Sequence, residues 1–274
     1  MDIIQRNFFR LLRSGAFNTT EEIEPMSAYK WQKLYQLSVM HDVVAYAYDG
    51  LERCSDQFFL RLPEKLRNEW QQAADKAGYR RFDEEEDEFL RPDHLTNPLL
   101  NHRLQNILDD ESSDTTTRQL LLIIIRIVRH ILNEGMPVRQ LIELGTFIRQ
   151  EASRIDNISL VKWIASLRLS QMSQLEGEFL VLLFAFDPEE IIFVEDRQNK
   201  RIEKIAQELI EFTNTRSQDW YFSQDSDSIF VHNSNTSAML SHVRRSARYF
   251  RYYPSESLTN FFASFVHSLS HIEE

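Results

Sequence analysis

The sequence has little of what builds disulfide-linked, sheet-rich or membrane-spanning proteins. Its single cysteine, Cys54, excludes an internal disulfide and a cysteine-rich zinc site, and it fits a reducing compartment. Only 6 glycines and 7 prolines occur in 274 residues, so turns are few and long helices are favoured over a many-stranded sandwich. The most apolar segment, Leu120 to Leu132, contains Arg126 and Arg129 and falls short of the ~20 apolar residues that a membrane span needs. No membrane partner is therefore expected.

Basic side chains are also scarce relative to acidic ones. The chain carries 31 lysines and arginines against 42 aspartates and glutamates, which gives a formal net charge of −11. A charge of this sign repels a phosphate backbone, so nucleic acid is a disfavoured partner unless a local basic patch exists. Residues 1–17 mix three arginines with apolar residues and lack the apolar stretch of a signal peptide, which predicts a cytoplasmic location.

Apolar residues recur at the helical interval along most of the chain. This periodicity predicts an all-α, multi-helix bundle of roughly ten helices. Irregular segments are expected near 79–98, which is rich in acidic residues, and near 214–235, which contains a short strand-like piece. The chain is thus divided into an N-terminal helical region (1–78), an acidic linker (79–98) and a C-terminal helical region (99–274). The two helical regions are predicted to pack together as one unit.

Glycine, proline and capping residues predict where individual helices begin and end. The first helix is expected to stop at Gly15. The second is expected to begin after a cap at Ser27 and to continue to a turn at Gly50. Leu120 to Leu132 is predicted to form the central core helix, and a later helix is expected to run until Asp187.

One stripe of polar residues interrupts the apolar central helix. Gln119, Arg126, His130 and Asn133 fall at positions i, i+7, i+11 and i+14, with Arg129 beside them. This spacing places them on one face of the helix. A buried guanidinium requires an acidic or carbonyl partner, so the stripe is a candidate for buried ion pairs or for an anion-binding site.

Two interpretations of the stripe remain open from the sequence. In the first, the arginines form structural ion pairs with Glu134, Glu143 or an acidic residue among 109–111. In the second, the stripe faces a cleft where Arg126 and Arg129 bind a phosphate or carboxylate and His130 transfers a proton.

A second candidate surface combines four arginines with aromatic residues near the end of the chain: Arg244, Arg245, Arg248 and Arg251, interleaved with Tyr249, Phe250, Tyr252 and Tyr253. Such a patch stacks on RNA or meets an acidic partner surface. Alternatively, its aromatic rings pack inward while its arginines pair with the chain's own acids. No cofactor and no metal site is predicted, because His267 and His271, four residues apart, have only two terminal glutamates nearby.

Several short blocks of sequence resemble an uncharacterised bacterial nucleotidyltransferase-like family. They are Asn7 to Gly15, Trp31 to Leu37, Tyr48 to Gly50, Asn101 to Gln105, Arg129 to Leu132, Val138 to Leu141 and Arg248 to Pro254. The resemblance implies a relative of that family's helical regions. Family members hold their catalytic metal with an Asp-x-Asp pair on a small mixed sheet between the helical blocks.

The family's catalytic sheet is expected to be missing from this chain. Only residues 79–98 separate the two blocks, well under the ~50 residues that a small domain requires. The chain is therefore predicted to be a pseudoenzyme, a non-catalytic binding or scaffold protein. The alternatives are an active nucleotidyltransferase or helical nuclease with an atypical site, and a partner-binding regulatory module.

Overall fold

A computed structural model describes residues 1–57, 62–77, 90–195, 201–211, 213 and 249–270, with the side chains of the last helix described up to 263. In these ranges the regular structure is entirely helical, which confirms the predicted all-α class. The α-helices there are α1 (Ile3–Phe17), α2 (Ala28–Met40), α3 (Val44–Arg53), α4 (Glu64–Ala77), α5 (Pro98–Leu108), α6 (Thr115–Asn133), α7 (Val138–Glu151), α8 (Asn157–Ser166), α9 (Ser170–Phe184), α10 (202–211) and α11 (Pro254–Ser270). Short 3-10 turns cover Ala152–Arg154 and Pro188–Glu190. The acidic residues 79–89 and the whole of 214–235 lie outside the described ranges.

Local capping signals set several helix starts. Ser27 precedes α2 and its side chain accepts a hydrogen bond from the backbone N–H of Lys30, as predicted. Asp2 forms a reciprocal capping box with Gln5 at the start of α1. Asp114 caps the central helix α6, where its side chain accepts from the backbone N–H of Thr117. These side chains satisfy donors that have no partner within the helix.

Two glycines serve helix packing, although the sequence suggested that they end helices. The predicted stop at Gly15 is wrong, because α1 continues to Phe17. The predicted turn at Gly50 is also wrong, because this residue lies inside α3. A Cβ on Gly15 would lie 1.9 Å from the carbonyl oxygen of Tyr46, and a Cβ on Gly50 would lie 1.9 Å from that of Leu11. The backbones of α1 and α3 therefore approach too closely for any larger residue.

Two other boundaries also differ from the prediction. The predicted long second helix is two helices, since α2 ends at Met40 and the chain turns through Asp42 in the left-handed conformation (φ 52°). The helix expected to reach Asp187 ends at Phe184, where Ala185 takes the left-handed conformation (φ 54°). Neither residue is a glycine, so the usual sequence signal for such a reversal is absent.

The central helix α6 is almost enclosed by its neighbours. Its buried residues include Arg129, His130 and Asn133 among isoleucines, leucines and valines. It packs against α7, α8 and α9, while α1 packs against α2, α3, α7 and α9. One apolar core consequently runs from Phe8 in α1 to Tyr253 just before α11.

In two extended segments between helices, a backbone peptide group is held by a side-chain amide. The Asn7 amide accepts from the backbone N–H of Glu24 at 3.0 Å and donates to its carbonyl at 2.8 Å. Gln174 does the same for Glu195, at 2.7 Å and 3.1 Å. The amide group presents a donor and an acceptor side by side, as a peptide group does, so it imitates the edge of a neighbouring strand.

Candidate functional site: the polar cluster of α6 and a cleft beside α8

The polar cluster of α6 centres on a buried ion pair between α6 and α11. The Nη1 atom of Arg129 lies 2.8 Å from Oε1 of Glu256, and both side chains are essentially inaccessible to solvent. Arg129 also donates to Oδ1 of Asn260 at 3.2 Å. Glu256 is not among the partners suggested by the sequence, because it lies 127 residues after Arg129.

Glu256 also holds the start of α5. Its Oε1 accepts from the backbone N–H of Thr96 at 2.7 Å and from the hydroxyl of the same residue at 2.9 Å. Its Oε2 accepts from the backbone N–H of Asn97 at 3.0 Å. One buried carboxylate therefore connects three parts of the chain, and each of its oxygens has a donor, as a buried charge requires.

An asparagine pair extends this cluster. Asn260 donates to Oδ1 of Asn133 at 2.9 Å, and Asn133 donates to the carbonyl of Arg129 at 2.9 Å. Nearby, burial raises the pKa of Tyr253, and the negative charge of Glu256 adds to that effect. The Tyr253 hydroxyl donates to the carbonyl of Leu167. Each of these side chains is thus held by at least one hydrogen bond to another group of the protein.

The remaining stripe residues point to other neighbours. Arg126 lies 3.5 Å from Glu143 of α7, one of the partners that the sequence suggested. Gln119 is exposed, so it does not extend the buried part of the stripe. The five residues therefore do not converge on one point, and the geometry favours the structural interpretation of Arg126 and Arg129.

His130 is held from both sides. Its Nδ1 lies 2.7 Å from Oε2 of Glu134, and its Nε2 lies 2.8 Å from the side-chain nitrogen of Gln140. The Glu134 carboxylate accepts from Nδ1, and the Gln140 amide bonds to Nε2. Both ring nitrogens are thus engaged within the protein, which is the arrangement of a structural histidine.

Sequence reasoning missed a buried carboxyl group in α9. Glu176 is fully buried, and neither of its side-chain oxygens has a hydrogen-bond partner among the described residues. Burial raises its pKa well above the ordinary value, which favours the protonated form. Its position between Met172 and Phe179 in the apolar helical stripe could have identified it from the sequence.

The arginine-rich tail is only partly described. Arg244, Arg245 and Arg248 lie outside the described residues. Arg251 is exposed, and its guanidinium carbon lies 5.1 Å from the ring centroid of Tyr252. Tyr249 and Tyr253 are buried, as expected if the aromatic rings of this segment pack inward, whereas Phe250 is 47% exposed.

Arg251 lines a cleft of about 530 Å³, a size typical of ligand sites. The walls come from α8, from the first half of α9, from the segment 191–195 and from the residues before α11. Val161 and Ala165 line it from α8, Glu178 and Gln174 from α9. The cleft thus combines charged and apolar groups from two helices and two connecting segments, and no single sequence motif marks it.

Neither a metal-binding group of side chains nor a membrane-spanning helix occurs in the described part of the chain. No group of three or more histidine, cysteine, aspartate or glutamate side chains in those ranges could hold a metal ion. The side chains of His267 and His271 lie outside the described set. No described helix combines the length and apolar character required to cross a bilayer.

No protein-family model matches the chain, and comparisons with curated proteins and with solved structures give no match either. The resemblance to the nucleotidyltransferase-like family consequently rests on the short sequence blocks alone and stays a prediction.

Proposed function

We propose that the chain is a non-catalytic binding or scaffold protein of the bacterial cytoplasm, related to the helical regions of the nucleotidyltransferase-like family that it resembles. The observation that carries this proposal is the cleft between α8, α9 and the segment before α11. It brings apolar, amide and charged groups to an accessible concave surface. The charges of α6, by contrast, bond to other groups of the protein.

The cleft has the features of a recognition surface and not of an incompletely filled core. Val161 and Ile192 line it and remain 47% and 46% exposed, respectively. Bringing these side chains out of water on binding would yield ~25 cal/mol for each Å² of apolar surface covered. Polar groups around them would fix the orientation of the bound partner.

A steric block at Ala165 tests whether the cleft is the binding site. Ala165 is an exposed residue of α8 that lines the cleft, so Ala165→Trp would fill it without disturbing the core. Lys162→Trp is the matched control, because this residue is exposed on the same helix and does not line the cleft. The probe is a library of random hexapeptides displayed on phage, selected on the wild-type chain.

We expect the selected peptides to bind the wild type and Lys162→Trp equally and to lose binding to Ala165→Trp. Peptides that bind all three proteins equally would contradict the assignment of the cleft.

The non-catalytic part of the proposal is tested separately with nucleotides. Each of the four nucleoside triphosphates is added with and without Mg²⁺, and the thermal unfolding midpoint is measured. A bound ligand stabilises the fold by ~2.7 kcal/mol when its free concentration is about 100 times its dissociation constant. We expect no Mg²⁺-dependent increase in the midpoint, whereas a clear increase would favour an active nucleotidyltransferase.

A further inference from the structure

The helix α11 presents an apolar face to solvent. Glu256 and Asn260, four residues apart, face α6 and bond to Arg129. Leu258 and Phe262 lie two residues further along the chain, which corresponds to about 200° around the helix. These two side chains are 48% and 56% exposed, respectively. The helix therefore buries one side against α6 and holds Leu258 and Phe262 on the opposite side.

A third exposed apolar side chain lies at the start of α5, beside α11. The hydroxyl of Thr96 lies 2.8 Å from that of Thr259, which joins the beginning of α5 to α11. Leu99 follows three residues later and is 58% exposed. Single exposed apolar residues are common on monomeric proteins, whereas a group of them on adjoining elements indicates an interaction surface.

Charged residues are nearly absent from α11. Residues 257–270 contain no aspartate, glutamate, lysine or arginine, although these residues make up 27% of the chain. The remaining charged residue of the helix, Glu256, is buried in its pair with Arg129. The centres of protein–protein interfaces are depleted of charged residues, whereas helices that bind a membrane surface have lysine and arginine on their polar side. The composition of α11 is therefore typical of a protein interface.

The charge of the whole chain favours a second copy as the partner. With a formal net charge of −11, two copies repel each other wherever their acidic surfaces approach. A basic partner would be attracted to those acidic surfaces and not to an uncharged helix. Two copies that meet at α11 bring no like charges into contact, and a two-fold axis places the same apolar face on both sides of the contact.

We propose that two copies of the chain associate through α11, with Leu258 and Phe262 of each copy in the contact. The helix has 17 residues, so its face is ~25 Å long and ~10 Å wide. This is less than the ~800 Å² per partner of a standard stable interface. The dimer is consequently weak and reversible, with a dissociation constant on the order of micromolar. It uses a surface other than the cleft and is independent of the proposed function.

Sedimentation velocity of the full chain between ~1 and ~100 μM tests the proposal. The sedimentation coefficient of the wild type should rise with concentration toward that of a dimer. Phe262→Glu introduces like charges on both sides of the contact and should weaken association at least about tenfold. Tyr29→Glu is the matched control, because Tyr29 is an aromatic residue of α2 that is 70% exposed, and this variant should associate like the wild type. Circular dichroism verifies that both variants keep the helical fold.

The salt dependence provides a second readout. Raising the NaCl concentration from ~0.1 M to ~1 M shortens the screening length from ~10 Å to ~3 Å. Because repulsion between two acidic copies opposes an uncharged contact, the dimer should become tighter in high salt. A dimer held together by ion pairs would instead dissociate.

A wild type that stays monomeric at ~100 μM would overturn the proposal, and would mean that another segment of the chain or a different protein covers α11. A dimer that Phe262→Glu leaves unchanged, or that high salt dissociates, would overturn it as well. None of these results bears on the display experiment with Ala165→Trp, which concerns the cleft.

Discussion

Arg129 and Glu256 are 127 residues apart in the chain, yet their side chains meet at 2.8 Å with exposures of 1% and 0%. This pair connects the central helix α6 to α11, and Glu256 also binds the backbone before α5. Burying two charges costs free energy, which the pair recovers only when both partners are present and well hydrogen bonded.

The first prediction follows from this pair. Arg129→Met should lower the free energy of unfolding by ~3–5 kcal/mol, because it leaves the Glu256 carboxylate buried without its counter-charge. Adding Glu256→Gln to that variant should cost less than the sum of the two single changes. Urea denaturation of the double-mutant cycle measures both effects. Additive costs would show that the two side chains contribute independently.

The second prediction concerns Arg126, the other arginine of the polar stripe. Its partner Glu143 lies 3.5 Å away and is 34% exposed, so water weakens their attraction. Arg126→Ala should lower the free energy of unfolding by only about 1 kcal/mol. The same urea titration checks this value. A loss as large as that of Arg129→Met would mean that the Arg126 pair contributes as much to stability as the fully buried Arg129 pair.

The third prediction tests the close crossing of α1 and α3. Gly15→Ala should cost about 3 kcal/mol or more, because the new methyl group would collide with the backbone carbonyl of Tyr46 and the helices would have to separate. Ala16→Gly, the neighbouring position, serves as the control and should cost about 1 kcal/mol through helix propensity. The thermal unfolding midpoint should fall further in Gly15→Ala than in Ala16→Gly. Equal midpoints would contradict the close approach of the α1 and α3 backbones.

The fourth prediction uses the buried Glu176. Burial raises its pKa above the ordinary value of 4.5, so above pH 4.5 the unfolded chain releases a proton that the folded chain retains. The stability of the wild type should therefore decrease as the pH rises from 4.5 toward the pKa of the folded state, by up to ~1.4 kcal/mol per pH unit.

Glu176→Gln removes this titration while keeping the side-chain shape. Its stability relative to the wild type should consequently increase with pH, as measured by urea denaturation between pH 4 and 8. Glu189→Gln, an exposed residue in the next turn of the chain, is the control and should show no such trend. A pH-independent difference for Glu176→Gln would mean that this carboxyl group is ionised in the folded state.

Helical periodicity predicted the all-α class because apolar residues follow each helix face through most of the chain. It failed at Gly15 and Gly50, because the sequence alone does not distinguish a glycine that permits close helix packing from a glycine that ends a helix. It also failed at Asp42 and Ala185, where residues other than glycine take the left-handed conformation.

The polar stripe was identified from the spacing of Arg126, Arg129 and His130, but its partners were only partly predictable. Glu143 was named because it is near in sequence, whereas Glu256 belongs to a helix more than a hundred residues later. Periodicity places a residue on one face of its own helix and does not specify which distant helix covers that face. The cleft escaped prediction for the same reason, since four separate segments build it.

The amide anchors at Asn7 and Gln174 depend on the nitrogen atom of each amide. Each holds a backbone segment by donating to a carbonyl and accepting from an N–H of the same residue. Deamidation would replace the donating nitrogen with a carboxylate oxygen, which would then face a carbonyl oxygen at hydrogen-bond distance. Loss of a single ammonia molecule at Gln174 would thereby turn an attraction into a repulsion and release the segment that forms one wall of the cleft.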